Sequence, residues 1–202
     1  MTQATRTTIL TYAKQIFARS GYDGLSMRIL SDESKVGLSS IYHFFTDKDV
    51  LLEEIFNLTN TQLGIERSKL ANRKTASALL QDRIKFQFDH IEDVVFVLKY
   101  FLHYRPRFEH LRRGFVPAKA YLHIEEVLRL GNQTGEFTIA EQDIEKEAKV
   151  VTHAINGFLL EYYPDPPTGR ELHEVSQSLH RFIMRSLIQT KEGKYEDLKI
   201  KN

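Results

Sequence analysis

Apolar residues recur along this chain at intervals of three and four, the spacing that lines one face of an α-helix. Ile9, Ala13, Ile16 and Phe17 keep that period over residues 5 to 20, and Gly21 stands where a left-handed C-terminal cap belongs. Asp23-Gly24 then makes a turn. Ser26 is placed as an N-cap, and Leu30 with small Ser31 and Ser34 predicts a short second helix. Lys35-Val36-Gly37 is a tight break. Ile41, Phe44 and Phe45 anchor a third short helix and leave Ser39, Ser40, Tyr42 and His43 facing outward. Three short helices and a tight turn at the start of the chain make a helix-turn-helix unit.

Thr46 to Asp49 fits a capping box, with the threonine bonding first-turn amides and the acid reaching back. A long helix from about 46 to 70 is expected there. Its apolar face is Leu52, Ile55, Phe56, Thr59 and Leu63, and the polar stretch Glu66 to Lys74 ends it. Further helices are expected at about 75 to 90, 93 to 104, 117 to 130, 141 to 163 and 170 to 189. Pro106, Pro117, Gly131, Gly135 and the turn from Pro164 to Gly169 separate them. Val94 to Tyr104 is rich in β-formers, but no second strand candidate exists to pair with it. The expected fold class is all-α: a helix-turn-helix domain over residues 1–48, and a helical bundle over residues 49–202. The long helix links the two.

Composition narrows the function. The chain has 202 residues with 42% hydrophobic and 27% charged, ordinary for a folded soluble protein. Cysteine is absent, which excludes disulfides, thiolate metal sites and cysteine nucleophiles and suits a reducing cytoplasm. The opening residues are polar and periodic, unlike a signal peptide. The longest apolar stretch, Val94 to Tyr104, is interrupted by Lys99 and is far shorter than the roughly 20 residues a bilayer span needs. A cytoplasmic protein without membrane association is expected. Net charge is +1, and residues 1–48 carry six Lys or Arg against four acids. That excess is small, so any nucleic-acid reading rests on where individual donors sit.

The segment from Ser26 to Lys48 resembles the DNA-binding signature of tetracycline-repressor (TetR) family regulators, T-x-x-x-I-A-x-x-A-G-V-S-x-G-x-L-Y-x-H-F-x-x-K. Leu30, Val36, Ile41, Tyr42, Phe45 and Lys48 match in place without a gap, and Ser26, Ser31, Ser34 and Ser40 are conservative replacements. Four positions depart. Lys35 replaces the turn glycine, Gly37 the serine cap of the recognition helix, Ser39 a glycine and Phe44 a histidine. A lysine in a left-handed turn costs about 1 kcal/mol relative to glycine, and a glycine N-cap is only a few tenths worse than serine. Position 44 keeps a packing role only.

The resemblance implies a DNA-binding transcriptional regulator, a repressor by family default, acting as a homodimer on a palindromic double-stranded operator. Ser26 and Lys48 would hold the phosphate backbone, Arg28 would lie near the groove edge, and Leu38, Ser39, Ser40, Tyr42 and His43 would come closest to bases. Lys48 sits at the positive end of a helix dipole, so its removal is expected to leave stability unchanged or slightly raised. The last two helices would pair with their copies through Val151, Ile155, Phe158, Leu159, Tyr162, Leu179, Phe182 and Ile183, with small Gly157 allowing close approach. A small apolar or aromatic effector would bind among the middle helices and release the operator. Phe86, Phe96, Tyr100, His103, Tyr104, Tyr121 and His153 are the candidates to line its site, and Phe115 belongs to the same aromatic group.

Two rival classes remain. One is a metal-dependent enzyme using histidines and carboxylates in a helical bundle. Against it, the sequence holds no H-E-x-x-H, no E-x-x-H pair, no Gly-rich phosphate loop and no G-x-S-x-G. The other is a protein-binding helical adaptor. No catalytic residue, metal ligand or cofactor is assigned.

Overall fold

The computed structural model describes residues 2–70, 74–110, 121–163 and 165–189. The regular elements among them are helical, as expected: α1 (Gln3–Gly24), α2 (Met27–Ser34), α3 (Leu38–Phe44), α4 (Lys48–Ser68), α5 (Ala76–Asp89), α6 (Ile91–His110), α7 (Leu122–Thr134), α8 (Ile144–Tyr162) and α9 (Gly169–Gln189). A single 3-10 turn at Glu141–Asp143 leads into α8. Phe115, Pro117, the expected helix start at 117 and Pro164 lie outside the described residues.

These helices group into two compact units, which differ from the expected division at residue 48. The first holds α1 to α4 together with α6, and the second holds α5, α7, α8 and α9.

In the first unit α1 begins on Thr2, whose hydroxyl accepts the Thr5 amide, and buries Ile9, Ala13, Ile16 and Phe17 as their spacing predicts. Gly21 breaks it. Its φ of 70° and ψ of −168° lie in a region only glycine enters readily, so the last turn to Gly24 leaves at an angle. Ser26 caps α2 by accepting the Ile29 amide at 3.1 Å. α4 buries Leu51, Leu52, Ile55, Phe56, Thr59 and Leu63. Its cap corrects the sequence reading: Asp47, not Thr46, accepts the Val50 amide at 2.9 Å. Asp49 does not close a box, because its Oδ1 accepts the hydroxyls of Tyr22 and Tyr104 at 2.7 and 2.6 Å.

α6 also overruns its expected end at 104 and continues through Pro106 to His110. It supplies this unit with aromatic packing. Phe96 meets Phe17 edge to face at 5.2 Å between centroids, and Tyr100 stacks on Phe56 at 4.4 Å. Such pairs add about 0.5–1.5 kcal/mol each to the burial of their rings. Lys14 reaches from α1 to Asp93, and Lys99 donates to the Ala18 carbonyl on α1 near its break.

In the second unit α5 has its start capped from a distance, since Glu136 accepts the amides of Ala76 and Ser77 at 2.6 and 2.9 Å. Burial alone would raise the Glu136 carboxyl, but these two bonds and one from Thr134 outweigh it and hold it below the usual range. Gly131, expected as a separator, lies inside α7, where the buried Phe137 ring crosses it. A Cβ there would come within 2.0 Å of that ring. His180 of α9 is fixed on α5 by the Ser77 carbonyl at 2.9 Å, and its burial lowers its pKa. Leu179, Ile183 and Leu187 bury the adjoining face of α9.

Candidate nucleic-acid interface

The presentation of α3 follows from which of its residues must be buried. Ile41 is fully buried and Phe45, just past the helix, is 1% exposed, so α3 is anchored on one side only. Opposite them Ser39, Tyr42 and His43 are exposed, with Tyr42 at 50%, while Leu38, Ser40 and Phe44 are half-buried. The His43 ring rests edge-on against Phe44 at 5.5 Å. Phe44 thus supports its neighbour from the side.

The turn before α3 holds despite its unusual residues. Lys35 takes φ 59° and ψ 19°, the left-handed conformation, and is the one described non-glycine residue at positive φ. Two serines offset that strain. Ser31 Oγ donates to the Val36 carbonyl at 2.7 Å, and Ser34 Oγ accepts the Val36 amide at 3.3 Å. Each such bond is worth about 0.5–1.5 kcal/mol, comparable to the cost of the left-handed lysine. In sequence both serines look like conservative replacements, and this bonding is missed. The signal lies in their spacing to Val36, since short hydroxyl residues bond nearby backbone.

The six cations of residues 1–48 divide sharply. Arg6 pairs with Glu54, Lys14 with Asp93 and Arg19 with Glu33. Lys48 Nζ donates to the carbonyls of Tyr22 and Leu25 at 3.0 and 3.2 Å, and lies 3.6 Å from the centre of the Tyr22 ring. Two of its three N–H donors are therefore engaged in joining the start of α4 to the end of α1. These bonds argue against the expectation that removing Lys48 leaves stability unchanged or slightly raised, since the variant would lose them. Arg28 and Lys35, by contrast, are exposed and make no ion pair or hydrogen bond among the described residues. The sequence points to Arg28 but marks Lys35 only as strain. Ser26 is half-buried with its hydroxyl engaged in the cap, leaving its remaining capacity for an outside oxygen.

The other candidate residues scatter. Phe96, Tyr100 and Tyr104 are 0–5% exposed in the core of the first unit, where His103 is exposed and stacks on Tyr22 at 3.9 Å. Phe86, Tyr121 and His153 belong to the second unit. Phe86 is buried, Tyr121 is half-buried with its hydroxyl on Glu145 at 3.0 Å, and His153 is exposed. The seven are thus split between two units, four and three. Of the residues expected to pair across a dimer, Phe158 and Phe182 are exposed at 38% and 67%, and Tyr162 is half-buried. Val151, Ile155, Leu159, Leu179 and Ile183 are buried within their own unit, where they hold α8 and α9 in place. Gly157 is exposed, with nothing near the position of an added Cβ.

Among the described residues no group of three His, Asp or Glu is placed to hold a metal ion, and no helix is long and apolar enough to cross a membrane.

Known proteins share this arrangement. Residues 9–55 match the model of bacterial regulatory proteins of the tetR family. A TetR family transcriptional regulator, PfmR, from Thermus thermophilus has a crystal structure similar over 89% of this chain and 95% of its own. The TM-score is 0.66 and the identity 21%. The ketosteroid transcriptional regulator KstR2 of Mycobacterium tuberculosis aligns over 93% and 97%, with TM-score 0.69 and 18% identity. A member of the TetR transcriptional regulator family from Streptomyces coelicolor, SCO3833, aligns over 87% and 89%, with TM-score 0.58 and 24% identity. At such identities these likenesses show the fold. No curated protein matches the chain by sequence.

Proposed function

We propose that the chain is a TetR-family transcriptional regulator, a dimeric repressor whose α3 reads an operator in the major groove, because residues 9–55 match that family's model and the fold is that of its solved members. The observation that carries this is the one-sided anchoring of α3. Ile41 and Phe45 hold the helix down while Ser39, Tyr42 and His43 stand clear of the protein. Serine and histidine at the groove edge supply hydrogen-bonding groups for base edges, and the Tyr42 hydroxyl reaches a phosphate. Arg28 and Lys35 are free to meet the backbone on either side of the turn. Lys48 keeps one donor for a phosphate, and its first duty is to fix α4.

One short recognition helix makes too few contacts for operator affinity at physiological salt, so two copies must act together. Phe158 and Phe182 are exposed large apolar residues of α8 and α9 that would meet a second copy. An effector bound in the second unit would lower operator affinity by favouring another spacing of the two reading heads. A coupling of about 1 to 3 kcal/mol would change affinity by about 5- to 150-fold.

Selection of bound DNA from a random pool tests the central reading. Recovery of a palindrome whose binding is weakened by Tyr42→Ala and His43→Ala is expected. A protein that binds all sequences equally at low salt would rule out operator reading. Sedimentation tests the pairing: a micromolar dimer that dissociates in Phe158→Arg and Phe182→Asp is expected, and a monomeric wild type would refute it.

A further inference from the structure

The side of α4 turned away from its core carries apolar residues that one chain leaves uncovered. Val50, Leu58 and Ile65 are 45%, 53% and 50% exposed. At about 100° per residue they fall within about 80° of the helix circumference, so they form a stripe and not a scatter. Glu54, Asn57 and Thr61 lie within that stripe, beside a groove of about 490 Å³. Glu54 is paired with Arg6, and Gln62 at the edge donates to Glu66 at 3.0 Å. Among the described residues the side chains of Glu53, Asn57 and Thr61 have no partner.

A second copy of α4 fits this stripe in one register. In an antiparallel pair with residues 57 and 58 at the two-fold axis, Val50 is level with the partner's Ile65 and Glu54 with the partner's Thr61. Asn57 lies beside the partner's Asn57, and Leu58 beside the partner's Leu58. Glu53 and Glu54 then stand at the level of an amide and a hydroxyl, and Arg6 already offsets one of the two charges. A parallel pair would instead set both acids against their own copies, and like charges facing each other are unfavourable. The amides at the axis also favour this register, as a polar residue does in the seam of a coiled coil. From Val50 to Ile65 the stripe spans only about 22 Å, too short for the roughly 1,200 Å² or more that a stable association buries. It suits chains already held together elsewhere, for which the effective concentration reaches the millimolar range.

We propose that α4 pairs with α4 of the second subunit through Val50, Asn57, Leu58 and Ile65, and that this contact sets the distance between the two reading heads. It rests on reading the protein as a dimeric regulator. The register puts Lys48 level with residue 67 of the partner, nineteen residues along α4 from the partner's own Lys48. At about 1.5 Å per residue and a helix separation of about 8–10 Å, the two starts of α4 lie about 30 Å apart. Each α3 ends just before such a start, at Phe44. The pair thus presents two recognition helices near the spacing of one duplex turn, about 34–36 Å. Parting it frees the heads from that spacing.

The chain has no cysteine, so introduced cysteines report this contact alone. In the purified full-length protein without DNA, Leu58→Cys should form a disulfide between subunits under mild oxidation and sediment as a dimer. Val50→Cys and Ile65→Cys should each fail to cross-link, because like residues there lie about 22 Å apart along the pair. The double variant should cross-link Val50→Cys of one subunit to Ile65→Cys of the other. Leu58→Glu, at an exposed position, should keep the thermal unfolding of the wild type and bind the selected operator about fivefold or more weakly, with binding to random DNA unchanged. No cross-link in Leu58→Cys, equal cross-linking in the single end variants, or a Leu58→Cys species that sediments as a tetramer would overturn the proposal. So would wild-type operator affinity in Leu58→Glu. The cross-links are read without DNA, so a protein that forms them and binds no operator refutes the regulator and leaves the pair standing.

Discussion

The first unit fills its interior with rings, while the second carries a guanidinium, an amide and an imidazole through its interior. Phe17, Phe45, Phe56 and Phe96 are all nearly inaccessible in the first, and its described buried polar residues are only Ser34 and Thr59. Arg83, Gln87, His123, Thr152 and Ser176 are buried in the second. A ring-packed core has one good arrangement, because rings of fixed shape at close density cannot shift without leaving voids. That is the packing the proposed reading of DNA by α3 calls for. Buried polar groups, by contrast, have alternative hydrogen-bond partners and alternative arrangements within reach.

The largest expected effect breaks the first half of this contrast. Phe56→Ala removes a ring stacked on Tyr100 and should cost about 3–5 kcal/mol in denaturant unfolding. Gln87→Leu in the second unit should be neutral or stabilising, because it removes an unsatisfied acceptor. Equal losses in the two variants would erase the distinction.

Asp49 sharpens it next. It holds two tyrosine hydroxyls, and burial together with this hydrogen bond pushes the Tyr104 hydroxyl well above the usual tyrosine range. Asp49→Ala should lower stability by about 1.5–3 kcal/mol per lost bond at most, and Lys48→Ala should lower it by less, since its bonds are only part-buried. A thermally neutral Lys48→Ala would return that residue to a purely DNA-facing role.

The second unit should be the acid-sensitive one. His180 has a lowered pKa, so its contribution is full above the unfolded value near 6.5 and is lost as pH falls toward the folded value. Glu136, also lowered, contributes above about 4.5 and is lost below it. Stability should decline from pH 6.5 downward, and His180→Phe should flatten the upper part of that decline. An unaltered pH profile in this variant would refute the assignment.

The smallest effect separates folding from reading at one residue. Lys35→Gly relieves a left-handed lysine and should raise stability by up to about 1 kcal/mol. It should also weaken DNA binding for all sequences alike and make the salt slope shallower by about one per subunit. Unchanged affinity would leave Lys35 as strain without purpose.

The outward face of α3 is legible in the sequence because its information is local. Ile41 and Phe45 must be buried, and the helical period then forces Ser39, Tyr42 and His43 outward. The caps at Ser26 and Gly37, the left-handed Lys35 and the all-α class follow from the same short-range rules. Choices between near neighbours are harder. Thr46 and Asp47 are both good caps, and Asp49 is drawn away by two tyrosines, one of them 55 residues distant. Pro106 is a helix breaker by rule, yet α6 runs through it.

The helices, their buried faces and the exposed side of α3 are written in the chain, since period and capping act within a few residues. Which partner each polar group finds is a matter of packing. No local pattern divides the six N-terminal cations into bound and free, or assigns α6 to the first unit. Nor does one bring Glu136 to the amides at the start of α5, which it meets from 60 residues away. Contacts of that range are fixed by how whole helices pack against one another, and a pattern a few residues long does not encode them.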